Sequence, residues 1–134
     1  MKKLFLAFAL VLSTGGGALA ADTTFGTGSL LHSGSVTVTS LCAIHNAGTK
    51  PVTIRSVGIP FYTISPLGTQ PAIPGSDSCT TAPLEPDNTC RFSTTLGVYG
   101  GGIAKVKGST KNLRGECTLI SGATGLSVMT VPMR

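Results

Sequence analysis

Apolar and polar residues alternate in short runs along most of this 134-residue chain, and nowhere beyond residue 20 is a helical period sustained. Runs rich in Val, Ile, Thr and Leu are divided by clusters of Gly, Pro, Asn and Ser, the spacing of an all-β sandwich or barrel. The alternation predicts strands at 28–31, at 35–46 with a break near Ser40, at 51–57, and a fragment near 61–64. Further strands follow at 90–96, 102–107, 113–120 and 126–131, so about seven or eight in all. Composition agrees: 18 glycines, few charges and no Trp suit tight turns between strands better than helices.

The connections are also legible. Asn46-Ala47-Gly48-Thr49 carries residues that tolerate positive φ and predicts a tight hairpin, with Pro51 opening the next strand. Ser121-Gly122-Ala123-Thr124-Gly125 predicts the last turn. By contrast, residues 60–88 hold six prolines and little alternation, and predict a long irregular excursion. The run Gly100-Gly101-Gly102 is followed by the strand-like Ile103-Ala104-Lys105-Val106-Lys107. A phosphate cradle needs a helix or a Lys-Ser/Thr pair at that place, so the run predicts a flexible hairpin link instead.

The first twenty residues follow a different rule. Lys2 and Lys3 precede the unbroken apolar stretch from Leu4 to Leu12, and Ala18-Leu19-Ala20 forms a small-x-small site. This is the pattern of a secretory signal peptide cut after Ala20, leaving residues 21–134 as a single domain. The apolar stretch is shorter than the roughly 20 residues a membrane helix needs, and no second candidate span follows. The expected location is the periplasm or the extracellular space. Without Lys2 and Lys3, eight basic and five acidic residues remain, a mildly basic +3.

Cys42, Cys79, Cys90 and Cys117 all lie in the exported part, where an even number of cysteines predicts two disulfides. Four thiols allow three connectivities, and side-chain direction ranks them. Period-two alternation sets Cys42 beside Ile44 and Cys117 beside Leu119, both facing inward, which pairs Cys42 with Cys117 and leaves Cys79 for Cys90. These bridges are expected to lock two facing β-layers together.

Cys42-Ala43-Ile44-His45-Asn46-Ala47-Gly48-Thr49-Lys50-Pro51-Val52-Thr53-Ile54 resembles the paired strands of bacterial immunoglobulin-like sandwich domains. Leu84-Glu85-Pro86-Asp87-Asn88-Thr89-Cys90-Arg91-Phe92 is similar to the approach to a later strand in the same domains. Lys111-Asn112-Leu113-Arg114-Gly115 resembles a stretch before the penultimate strand of small secreted bacterial proteins of this type, which have no assigned role. The resemblance spans residues 40–131 and implies a disulfide-stabilised antiparallel immunoglobulin-like β-sandwich. Its motifs mark a fold and no site.

Candidate chemistry is sparse. The exported part has five acids, Asp22, Asp77, Glu85, Asp87 and Glu116, and two histidines, His32 and His45. No Gly-x-Ser-x-Gly elbow supports a Ser-His-Asp triad, and the spacing of Asp77, Glu85 and Asp87 matches no calcium loop. The expectation is therefore a non-catalytic structural or binding module, with neither catalytic residues, metal nor cofactor.

Lys105 and Lys107 share one strand face, while Lys111 and Arg114 follow in the adjoining turn and strand, so the four are expected to gather on one side as an anion-binding patch. Its partner would be an anionic glycan or an envelope surface. The lack of aromatic residues there argues against stacking nucleic acid bases. The alternative is a fimbria-like assembly subunit engaging another surface protein, which would donate its N-terminal segment, residues 22–34, to a neighbour.

Overall fold

A computed structural model describes residues 21–27, 30–31, 38–61, 68–71, 76–95 and 99–134, and among them all regular structure is strand. The strands are β1 (Asp22–Gly26), β2 (Leu30–Leu31), β3 (Val38–Asn46), β4 (Ile54–Phe61), β5 (Gly68–Pro71), β6 (Thr89–Thr95), β7 (Tyr99–Gly100), β8 (Ile103–Lys107), β9 (Leu113–Ser121) and β10 (Ser127–Met133). Two four-stranded sheets, β1-β8-β4-β5 and β10-β9-β3-β6, carry the structure, with a small β2-β7 pair beside them. Every pairing is antiparallel.

Alternation explains which face each strand buries. Along β3, Val38, Ser40, Cys42, Ile44 and Asn46 are fully buried, and along β9 Leu113, Cys117, Leu119 and Ser121 face the same way. From the opposite sheet come Phe25, Ile54, Val57, Ala104 and Val106, which close the core with Phe92 and Met133.

Both predicted disulfides are present, Cys42–Cys117 and Cys79–Cys90. Cys42–Cys117 does not cross between the layers as expected. Cys42 and Cys117 stand directly opposite each other on neighbouring strands of one sheet, with Cα atoms 4.0 Å apart, a separation of the closer kind of antiparallel pair. Cys79–Cys90, across the short loop that holds Pro83 and Pro86, clips that loop to β6.

The glycine run is likewise no loose link. Gly100, Gly101 and Gly102 are all buried. Gly101 has φ 115 and donates its N–H to the Ser40 hydroxyl at 2.8 Å. At Gly102 the two disulfide sulfurs lie 2.4 and 2.5 Å from where a Cβ would be, so only a residue without a side chain lets the sheets meet there.

Several other expectations change. Strand β3 runs unbroken through Ser40, whose hydroxyl is consumed inside the core by Gly101. The Asn46–Thr49 turn is no hairpin, because β3 and β4 belong to different sheets. It is organised by the buried Asn46 side chain, which donates to Lys50 O (2.8 Å) and Leu84 O (2.9 Å) and accepts from Gly48 N (2.9 Å). Positive φ among the described residues occurs elsewhere, at Asp87, Gly101, Gly108 and Gly125.

The proline-rich excursion contains more strand than expected. Strand β4 continues through Pro60, beyond the end of its pairing with β8, and β5 includes Pro71 on the sheet edge. The expected fragment near 61–64 lies mostly outside the described residues. The last turn is the predicted hairpin, closed by Gly125 N to Ser121 O at 2.8 Å.

Candidate anion-binding faces

The four predicted cations divide between the two layers. Lys105 and Lys107 alternate with buried Ala104 and Val106, so both stand on the exposed face of the β1-β8-β4-β5 sheet. Lys105 Nζ donates to Thr24 Oγ1 at 2.8 Å, and Asp22 sits opposite Lys107 in the ladder. Asp22 is itself paired with Arg55 at 3.1 Å across an exposed surface. This face therefore carries Arg55, Lys105 and Lys107 against the single carboxylate of Asp22.

Arg114 belongs to the other sheet. It points outward from β9, and its guanidinium donates to Lys111 O (3.0 Å) and Leu113 O (2.8 Å). Lys111 lies in the turn joining β8 to β9, at the end of the sandwich. That end carries a cleft of about 400 Å³ bordered by Lys50, Lys107, Ser109 and Asn112. The structure thus keeps Lys105 with Lys107, sends Arg114 to the opposite outer face and leaves Lys111 between them.

Arg114 has neighbours that sequence reasoning did not gather. In the ladder, Arg91 and Glu116 stand on either side of Ala43, and Thr89 and Arg114 on either side of His45. These side chains line a shallow outward groove of about 410 Å³. Period-two alternation in residues 42–46, 89–93 and 113–117 already orients them outward. The missing information was that β6, β3 and β9 lie side by side.

The acids in the loops serve the backbone. Asp77 accepts from the N–H groups of Cys79 (2.6 Å) and Thr80 (3.2 Å) and from the Thr80 hydroxyl, and Asp87 holds a turn with φ 59. His45 rims the sheet, its Nδ1 3.2 Å from Thr89 Oγ1. His32 lies outside the described residues. Among the described residues, no helix is long and apolar enough to cross a membrane. Compared with protein families, curated proteins and solved structures, the chain finds no match.

Proposed function

We propose that this is an exported, non-catalytic module of the bacterial envelope or extracellular space that engages an anionic glycan or envelope surface through the β8 face. The observation that carries the reading is the outward projection of Lys105 and Lys107 from one strand, with Arg55 answering the carboxylate of Asp22 beside them. Lysines in a row on a rigid sheet attract a polyanion through screened, salt-sensitive electrostatics. Export is supported by the leader-like residues 1–20 and by two disulfides, which persist in oxidising compartments.

The fold reading belongs to the same proposal. In constant-type immunoglobulin domains the second and fifth strands are neighbours, as are the third and sixth. The pairs β3-β6 and β4-β8 supply both adjacencies, while β1 lies beside β8 and β9 beside β3 at the flanks. We read this as an immunoglobulin-like sandwich with rearranged outer strands, akin to the small secreted bacterial proteins its motifs resemble. The fimbria-like alternative would give the N-terminal segment to a neighbour. Residues Asp22–Gly26 are instead zipped to β8 of the same chain with Phe25 buried, so donation would first require breaking that pairing.

Heparin chromatography tests the reading. The protein should be retained at physiological salt and elute as salt rises, and Lys105→Glu with Lys107→Glu should abolish retention. Passage of the unmodified protein in the void volume, or retention unchanged by the double substitution, would falsify the proposal.

A further inference from the structure

The groove on the opposite sheet is a second site, independent of the β8 face, and its side chains are arranged for a ligand with two chemically different ends. Arg91 and Glu116 flank Ala43 across three hydrogen-bonded strands, which puts their Cβ atoms about 10 Å apart. The methyl group of Ala43 leaves the space between them open. Among the described residues, no ion pair uses Arg91, Arg114 or Glu116.

The backbone at the cationic end is held in place before any ligand arrives. The Arg91 backbone is fixed on the outer edge of β6 by Ser78: Ser78 N and Oγ donate to Arg91 O (2.9 and 3.0 Å), and Arg91 N donates to Ser78 Oγ (2.9 Å). Its neighbour Cys90 is bonded to Cys79. Arg114, diagonally across the groove from Arg91 and next to Glu116 on β9, spends Nη1 on two backbone carbonyls of its own turn. An arginine fork matches a planar carboxylate. A bare oxyanion is disfavoured by Glu116, whose carboxylate calls for a donor on the same ligand. The His45 and Thr89 polar atoms along the wall add partners for hydroxyl groups.

We propose that this groove binds an acidic sugar unit, its carboxylate on Arg91 and its hydroxyls on Glu116, His45 and Thr89. Titration calorimetry with trigalacturonate, maltotriose, sodium sulfate and alanine as probes tests it, alongside backbone amide shifts in the unmodified protein. Trigalacturonate should bind, the other three should not, and the shifts should centre on residues 43–45, 89–91 and 114–116. Arg91→Ala should weaken binding at least about tenfold, the loss expected for one charge-assisted contact. Ala43→Leu, which fills the groove from an outward position, should do the same, and the groove shifts should persist in the Lys105→Glu, Lys107→Glu protein, which lacks the β8 cations.

Four results would overturn the site. They are no binding of trigalacturonate at millimolar concentration, sulfate or alanine binding as tightly as the sugar, affinity untouched by both groove variants, or shifts and affinity that follow Lys105 and Lys107 instead. The shift map in the unmodified protein keeps the outcome decisive even if a variant fails to fold.

Discussion

Ser40, Asn46 and Gly102 show how three small residues join the layers. Ser40 and Asn46 are fully buried polar groups on an otherwise apolar face, and each is satisfied by backbone from another part of the chain. Removing Asn46 would leave Lys50 O, Leu84 O and Gly48 N without those bonds. Since each hydrogen bond lost in this way costs about 0.5–1.5 kcal/mol, Asn46→Ala should lower unfolding stability by about 2–4 kcal/mol in urea titrations. Gly102→Ala should cost a similar amount, about 1–3 kcal/mol, because the added methyl group collides with both disulfide sulfurs. A wild-type urea midpoint for that variant would show that the sheets separate there at little cost. Gly108 offers a contrast, since its φ of 94 demands glycine although nothing lies near its missing Cβ.

Among the strands, position in the sheet decides robustness. Strand β3 is paired on both sides, by β6 and β9, and buries every second residue, so its amides should be the last to exchange with deuterium. Strand β10 lies on the edge, and residues Ser127–Thr130 are exposed on both faces. Their amides should exchange far earlier, and equal protection of β3 and β10 would contradict the arrangement.

The edge is also blunted. Because Cys42 and Cys117 form a close pair across β3-β9, the backbone polar groups of Cys117 turn toward Val131, and those of Pro132 turn away from β9. Proline therefore sits where its missing N–H removes a donor from the open side. Two residues on, Arg134 turns the same way and exchanges paired backbone bonds of 2.9 Å with Gly26, tying the two sheets together. Pro132→Ala should change the melting temperature little, with a stability difference within about 0.5 kcal/mol.

For the molecule as a whole, the two crosslinks close loops with sequence separations of 75 and 11, contributing about 4 and about 3 kcal/mol in the chain-entropy view. Their sum is comparable with the entire stability of a typical small domain. Thiol reduction under otherwise native conditions should therefore abolish the cooperative thermal transition followed by circular dichroism. A reduced protein melting near the oxidised one would mean that burial of Phe25, Ile44, Phe92, Val106 and Leu113 suffices alone. The absence of a layer-crossing disulfide makes those side chains, the Asn46 bonds and the Gly26–Arg134 pair the means by which one sheet holds the other.

Local order in the residues was enough to specify an all-β chain, the inward direction of Cys42 and Cys117, their pairing, and the outward direction of Lys105 and Lys107. Period-two alternation and turn chemistry are properties of neighbours in the chain, and they survive folding. Which strand lies beside which is a contest among distant segments, settled by mutual fit: a glycine run beneath a disulfide, a serine hydroxyl meeting a remote N–H, an asparagine amide reaching a loop 38 residues away. That contest placed Arg114 on the other face from Lys105 and assembled Arg91, His45 and Glu116 around it, because a side chain's direction is local while its company depends on sheet order.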